Sequence, residues 1–299
     1  MTAILSLIAN PNSPMNIKDV REHLGVVDYL EQDHQTLSQN IAIDIPIADD
    51  GAHAHPQILT EARNALVSQN IDVNIVNTNT RKKSLLIADM DSTMIEQECI
   101  DELARHAGLF DKISAITERA MRGELDFDAA LIERVAMLEG LSTSVLEETY
   151  TQNISFTSGA KTLIATMKAN GAYTALVSGG FTFFTNRVRD ALGFDHDRAN
   201  TLEIIDQTLS GHVGEPILGR MAKAQALEEL CHQQSLELSQ TIAVGDGAND
   251  LSMLALAGMG VAFHAKPATA QAASYCLHHA DLTGLLYLQG IAAEDHVQV

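Results

Sequence analysis

Two aspartates one residue apart, Asp89 and Asp91, follow the short aliphatic run Leu85–Ala88 and precede two hydroxyl residues, Ser92 and Thr93. The run has the length and side chains of a buried strand, so the carboxylates sit where apolar burial ends. Unpaired buried charge is heavily penalised, and such a pair needs a counter-charge. A hard divalent cation, held by carboxylate and backbone oxygens, would supply it. A helix cap made by the Asp or Ser side chains would account for the same residues without a metal. This stretch by itself leaves both readings open.

A second acidic pair, Asp246 and Asp250, follows the aliphatic run Thr241–Val244 in the string Gly245-Asp246-Gly247-Ala248-Asn249-Asp250. The string is only superficially a dinucleotide-binding loop, because Asp250 stands where the third glycine belongs and an acid there repels a pyrophosphate. Between the two pairs lie Ser178-Gly179-Gly180 and Lys223. The former offers a hydroxyl and backbone N–H groups suited to phosphate oxygens at a helix start; the latter is a cation near the start of a predicted helix. No Walker loop, Gly-x-Ser-x-Gly elbow or His-Glu-x-x-His motif is present. Taken singly, Ser178-Gly179-Gly180 reads as a turn and Lys223 as a solvated lysine, whereas a turn with an Asx cap is the lesser reading of Gly245–Asp250.

Their placement is more telling. From Gly159 onward the pattern predicts helix 161–170, strand 173–177, helix 181–192, a hairpin of 201–205 and 209–213 about Asp206-Gln207, helix 221–233, strand 241–244, helix 251–257 and strand 260–263. Strands alternating with helices imply an α/β fold, a parallel sheet covered on both faces. Ligands of such sheets bind beyond the carboxyl ends of the strands, where each of these polar motifs falls. Directly after the first core strand the pattern stays helical, with Gly108 placed to end the first helix. This insert of about 95–157 is positioned as a lid. It carries Glu98 and Arg134, which read as helix-surface charges, and Met121 and Phe127, which either pack the helices or line the lid.

Residues 1–80 read as a separate α+β unit of pattern βαβαβ: strand 3–9, helix 17–24, strand 39–47 with alternating Ile41, Ile43, Ile45 and Ile47, helix 56–68 and strand 71–76. Residues 78–83, polar and basic, read as a linker. His53 and His55 form a loop pair, read as solvated rather than metal-binding. The net charge of −20 argues against a nucleic-acid partner, since phosphate backbones demand clustered Lys and Arg. The three cysteines, odd in number and widely spaced, make neither a disulfide framework nor a zinc pattern. No membrane partner is expected, because there is no signal-like start and no apolar span; a cytoplasmic setting is the expectation.

Taken in order, Asp89-Met-Asp91-Ser-Thr, Ser178-Gly179, Lys223 and Gly245-Asp246-Gly-Ala-Asn249-Asp250 resemble the four motifs of the haloacid dehalogenase superfamily. With Glu98, Arg134-Val135 and Val177-Ser-Gly-Gly-Phe181, the likeness is to its phosphoserine-hydrolysing branch and spans about Ser84–Leu285. The resemblance implies a HAD-like, Rossmannoid core over 81–299 with a helical cap, behind a small N-terminal unit. Relatives often carry an ACT-like regulatory or dimerising module there, so a homodimer is one expected assembly, although βαβαβ has one strand fewer than the usual ACT pattern.

For the site, the resemblance implies that Asp89 is a nucleophile that forms an aspartyl-phosphate. Asp91 would be the general acid and base, its pKa raised by neighbouring carboxylates. Mg2+ would be held by Asp89, the Asp91 backbone carbonyl and Asp246, with Asp250 supporting from behind. Ser178, the Gly179 N–H and Lys223 would hold the phosphoryl oxygens, and Asn249 would orient the site. Glu98 would accept the ammonium, and Arg134 would grip the carboxylate, of a small-molecule substrate, O-phosphoserine. The expected activity is Mg2+-dependent hydrolysis of O-phospho-L-serine. Its rivals are a related phosphatase or phosphotransferase with another small substrate, and a non-catalytic Mg2+ or amino-acid sensor. A sensor predicts degenerate motifs, whereas Asp89, Asp91, Lys223 and Asp246 are all in place.

Overall fold

The computed structural model describes residues 3–25, 27, 33–48 and 55–299. The N-terminal unit comprises β1 (Ala3–Ala9), α1 (Ile17–Leu24), β2 (Gln35–Ser38), β3 (Ala42–Pro46), α2 (His55–Leu66) and β4 (Ile71–Asn77). Then come β5 (Leu85–Ala88) and the insert: α3 (Cys99–His106), α4 (Phe110–Met121), α5 (Phe127–Ala136) and α6 (Ser144–Asn153). The remainder is α7 (Ala160–Ala169), β6 (Tyr173–Phe181), α8 (Thr182–Leu192), β7 (His196–Asn200), β8 (Leu202–Ile205), β9 (Thr208–Val213), α9 (Ala222–Gln234) and β10 (Thr241–Gly245). It closes with α10 (Leu251–Leu256), β11 (Met259–Phe263), α11 (Pro267–Ala272), β12 (Tyr275–Leu277) and α12 (Gly284–Leu288).

The core sheet has six parallel strands in the order β12-β11-β10-β5-β6-β7. Successive side chains of a strand point to opposite faces, and both faces here are dry. Leu86 and Ala88 join one apolar cluster with Leu163 and Leu285, while Leu85 and Ile87 join another with Leu227 and Met253. That is why β5 is an unbroken aliphatic run rather than an alternating one. The expected α/β architecture holds, with two additions at the sheet edges. β7 is a polar strand, His-Asp-Arg-Ala-Asn, and β12 has only three residues; neither carries the hydrophobic run by which strands are recognised.

The expected strand 39–47 is instead a hairpin. Asn40, with φ of 60°, turns the chain between β2 and β3. The unit is therefore βαββαβ, a four-stranded antiparallel sheet in the order β2-β3-β1-β4, with a core in which Leu5 and Leu7 are fully buried. His55 opens α2; His53 lies outside the described residues.

The two sheets meet along a seam made by side chains. The Asn74 amide of β4 donates to the Cys276 carbonyl (2.9 Å) and accepts from the Cys276 N–H (3.0 Å) of β12. The Asp72 carboxylate accepts from the N–H groups of His278 (2.6 Å), His279 (3.0 Å) and Ala280 (2.8 Å). Residues 78–83 are not the solvated linker that their composition suggests. Arg81 donates to Asp44 (2.8 Å) and to the carbonyls of Tyr287 (2.8 Å) and Leu288 (3.1 Å), at the end of α12 where a cation is favoured. Lys83 is buried and donates to the Ser239 carbonyl (2.7 Å). Burial pushes the Asp44 carboxyl up, and Arg81 offsets only part of the rise. Arg81→Met should therefore cost about 3–5 kcal/mol, the usual penalty for orphaning a buried charge. An unchanged urea midpoint would contradict this.

The insert leaves and rejoins the core through a short two-stranded stem. Glu96 N–H donates to the Ser155 carbonyl (3.0 Å) and Thr157 N–H to the Met94 carbonyl (3.1 Å). As expected, β8 and β9 form a hairpin, with both turn residues, Asp206 and Gln207, at positive φ. The hairpin is bonded to the insert: Gly140 N–H to Leu209 O (2.9 Å), Leu209 N–H to Leu141 O (2.8 Å) and Thr143 N–H to Gln207 O (2.9 Å). Among the described residues no helix is long and apolar enough to cross a membrane, and the three cysteines are buried and free.

Candidate active site

The chain leaves β5 at Asp89 and makes a wide turn over Met90–Met94, closed by the Ile95 N–H on the Met90 carbonyl (3.0 Å) and with Ser92 at φ 54°. Asp89 does two things at once. Its Oδ1 caps the turn by accepting from the Met90 N–H (2.7 Å), and its Oδ2 lies 2.7 Å from Lys223 Nζ. Lys223, the second residue of α9, is buried and reaches Asp250 Oδ1 as well (2.6 Å). The other Asp250 oxygen accepts from the Gly247 N–H (3.0 Å).

Asp246 joins them from the end of β10, and carboxylate oxygens of Asp89, Asp246 and Asp250 lie within 4.8 Å of one another. Asp246 Oδ1 accepts a long bond from Thr93 Oγ1 (3.4 Å); Oδ2 is buried with no partner. Three buried carboxylates face the Lys223 ammonium, with Lys266 acting on Asp246, which leaves an excess of negative charge. An orphaned oxygen in an all-oxygen donor set fits a hard divalent cation.

The electrostatics agree. Burial pushes Asp89 well above the usual carboxylate range, Asp250 and Asp246 add to it, and Lys223 opposes it. Burial, with Asp250 beside it, brings Asp246 to about 7. Burial alone would depress Lys223, but Asp250 and Asp89 hold it above its ordinary value. In the metal-free protein such acids keep protons that the unfolded chain has already released. Between the ordinary 3.8 and about 7 the folded state thus binds more protons, so stability falls as pH rises through that window. The thermal midpoint of metal-free protein should drop between about pH 5 and about pH 7.5, and a bound divalent cation should raise it most at the higher pH. A midpoint indifferent to both would contradict this reading of the cluster.

Asp91 faces elsewhere. Its Oδ1 accepts from the Cys99 N–H at the start of α3 (2.8 Å) and its Oδ2 from Ser178 Oγ (3.3 Å), and its carboxylate is not among the three clustered ones. Its pKa is raised, but by burial rather than by the neighbouring carboxylates that the sequence suggested. The Cys99 and Ser178 hydrogen bonds and Lys223 work against the rise. Ser178 also differs from expectation. β6 runs through to Phe181, with a break in register against β7 between Val177 and Phe181, and α8 begins only at Thr182. Ser178-Gly179-Gly180 is thus an irregular strand end, not a helix N-terminus, and such irregularities re-aim side chains near active sites. The Gly180 N–H donates to Ser178 Oγ (2.9 Å), and a Cβ on Gly180 would stand 2.7 Å from Asp91 Oδ2.

Opposite these groups lies the insert. Glu98, half-buried, accepts from Ser92 Oγ (2.7 Å); burial, with Asp91 and Asp246, pushes its carboxyl well up. Arg134 on α5 is buried, and Asn249 presents a buried Oδ1 with no partner. Asp89, Asp91, Glu98, Arg134, Ser178, Gly179 and Asn249 line one cavity, with an apolar wall that includes Met121 and Phe127. Its volume, about 30 Å³, holds only a few waters. The insert is shut: a Cβ on Gly179 would stand 2.5 Å from Phe127 Cζ, and one on Gly247 2.8 Å from Met121 Sδ. Anything larger than water needs the insert to lift. The residues expected to form the site thus lie in the carboxylate cluster, on the Lys223 ammonium that bridges it, or on this cavity. Asp101 and Thr117, behind Arg134, were not singled out; as polar residues within helices, their spacing carries no signal.

The haloacid dehalogenase-like hydrolase family model matches residues 86–255. A protein named phosphoserine phosphatase from Idiomarina loihiensis is 48% identical over 202 residues, 68% of this chain and 91% of that protein. Another of that name from Streptomyces coelicolor is 44% identical over 238 residues, 80% of this chain and 57% of that protein. One from Archaeoglobus fulgidus is 43% identical over 217 residues, 73% of this chain and 63% of that protein. The chain thus spans less than two thirds of the length of the Streptomyces and Archaeoglobus relatives. Among solved structures, a HAD family hydrolase from Salmonella enterica serovar Typhi superposes with a TM-score of 0.85 at 30% identity, covering 96% of this chain and 98% of that one. A substrate-bound phosphoserine phosphatase superposes with a TM-score of 0.66 at 39% identity, covering 69% and 97%.

Proposed function

The chain belongs to the haloacid dehalogenase-like hydrolases, and from that membership and the geometry of the cavity we propose that it hydrolyses O-phospho-L-serine to L-serine and phosphate, the last step of serine synthesis. The observation that carries this reading is the two-sided cavity. Asp89 and Asp91 stand on its core wall, and Glu98 and Arg134 on its insert wall. A phosphate ester of a zwitterion needs a nucleophile and proton donor at one end, and an acceptor and a fork donor at the other.

The Asp89 carboxylate, held by Lys223 and the Met90 N–H, attacks phosphorus, and the bond from phosphorus to the seryl oxygen breaks. That oxygen takes the proton of Asp91, and L-serine leaves. Water then gives a proton to the Asp91 carboxylate and attacks the same phosphorus. The bond to Asp89 breaks, and phosphate leaves with Asp89 ionised again. The raised pKa of Asp91 suits it to carry the proton that it gives to the seryl oxygen and regains from water. Ser178 Oγ and the Gly179 N–H serve the phosphoryl oxygens, and Asn249 orients them. Mg2+, held by Asp89, Asp246 and the Asp91 carbonyl with Asp250 behind, would neutralise the repulsion between carboxylate and phosphate. Burial, with Asp91 and Asp246, raises the Glu98 carboxyl, and the arriving substrate ammonium would favour its charged form.

The division at residue 80 belongs to the same proposal. The βαββαβ string supports an ACT-like N-terminal module, because the hairpin supplies the strand that the sequence pattern lacked. The test of the activity is Mg2+-dependent phosphate release from L-phosphoserine, O-phosphoethanolamine, glycerol phosphate and phosphothreonine. A site that leaves buried charges unpaired discriminates strongly, so L-phosphoserine should lead in kcat/KM by about 100-fold or more. Indifference to the amino-acid moiety would overturn the substrate assignment. Transfer of the phosphoryl group to added acceptors in place of release would favour a phosphotransferase.

A further inference from the structure

Arg134 is a buried cation with an unusual arrangement of partners. It is 3% exposed, and burial depresses its pKa. Among the described residues it takes part in none of the ion pairs. Its Nε donates to the Ala130 carbonyl (3.0 Å) within α5, and its Nη1 donates to Thr117 Oγ1 (2.9 Å) on α4. The Thr117 hydroxyl has one hydrogen. Its short bond runs to Asp101 Oδ1 on α3 (2.6 Å), and the Ile113 carbonyl is farther (3.1 Å). Thr117 and Asp101 are themselves buried, at 2% and 9% exposure.

We propose that Asp101 and Thr117 are positioning residues for Arg134, forming a hydroxyl-bridged counter-charge that fixes the guanidinium while leaving its fork open to a substrate carboxylate. The inference rests on the assignment of Arg134 to that carboxylate. A carboxylate bonded directly to the guanidinium would occupy the paired N–H groups that give Arg its bidentate grip. With no counter-charge at all, a cation buried in the insert would be costly. The hydroxyl resolves the conflict. It donates to Asp101, which polarises it to accept from Arg134, and it takes a single N–H, from Nη1, while neither Thr117 nor Asp101 lines the cavity that Arg134 does. The three residues sit on three different helices, so the relay also sets where α5 stands against α3 and α4.

Thr117→Val removes the hydroxyl at nearly constant shape. It should raise KM for L-phosphoserine about tenfold, the order expected for a lost hydrogen bond to a charged group, with kcat within about twofold. O-phosphoethanolamine, which has the phosphate and ammonium but no carboxylate, should keep its kcat/KM, which also shows that the variant is folded. Thr117→Ser should restore the L-phosphoserine KM, and Asp101→Asn should reproduce the Thr117→Val pattern. Equal losses on both substrates, or no change on either, would overturn the relay. If the wild-type protein itself does not favour L-phosphoserine over O-phosphoethanolamine, the assignment of Arg134 fails first, and the relay falls with it.

Discussion

Asp89→Asn should reduce phosphate release from L-phosphoserine by about 10⁴-fold or more, the scale on which loss of a covalent nucleophile is felt. An amide does not attack phosphorus, and Asp250, the other carboxylate that Lys223 holds, does not line the cavity as Asp89 does. The same substitution should not unfold the metal-free protein. Lys223 keeps Asp250 at 2.6 Å, and the cluster loses one of three mutually repelling acids. Its thermal midpoint without metal should therefore equal or exceed that of the wild type. An inactive but stable variant separates chemistry from folding. Retention of more than a few per cent of wild-type activity would dispose of the aspartyl-phosphate mechanism.

Asp91→Asn should lower turnover by about 10²–10⁴-fold, the usual worth of a positioned proton donor, while leaving Mg2+ affinity within about threefold. The asymmetry follows from orientation. The Asp91 side chain is tied to the Cys99 N–H and Ser178 Oγ, away from the three clustered carboxylates, and a backbone carbonyl survives the substitution. Asp246→Asn should do the reverse to the metal and weaken Mg2+ binding by about tenfold or more. Calorimetric titration of Mg2+ into the two variants compares them directly. An Asp91 variant that loses metal as severely as the Asp246 variant would mean that the Asp91 carboxylate is a ligand and not a proton carrier.

The acidic ends of β5 and β10 were legible in the sequence because burial and charge are both written in residue type. An aliphatic run that stops at an Asp is visible without coordinates. The roles of Asp89 and Asp91 were readable only through the likeness to known motifs; their different orientations needed the turn at Met90–Met94, in which Asp91 itself is non-helical, with φ −64° and ψ 137°. The N-terminal hairpin was hidden by its own regularity. Ile41, Ile43, Ile45 and Ile47 alternate as one strand would, yet β3 is only Ala42–Pro46 and the turn at Asn40 precedes it. β7 and β12 were missed for the opposite reason, one being polar and the other three residues long. Arg81 looked like a linker charge because nothing local reveals that Asp44 and the end of α12 converge on it. Asp101 and Thr117 belong to the same class: what matters is whom they meet, 16 positions apart, inside the insert.

The side-chain seam between β4 and β12 imposes an order on synthesis. Asn74 and Cys276 are 202 positions apart, and Asp72 and Ala280 are 208 apart. The N-terminal unit leaves the ribosome first, and its own strand pairings are complete by Asn77. Its docking edge must wait until the chain has been made as far as Ala280. During that interval β4 is an unsatisfied sheet edge carrying Asn74 and Asp72, of the kind that invites pairing with other nascent chains. β12, three residues long, is what finally covers it.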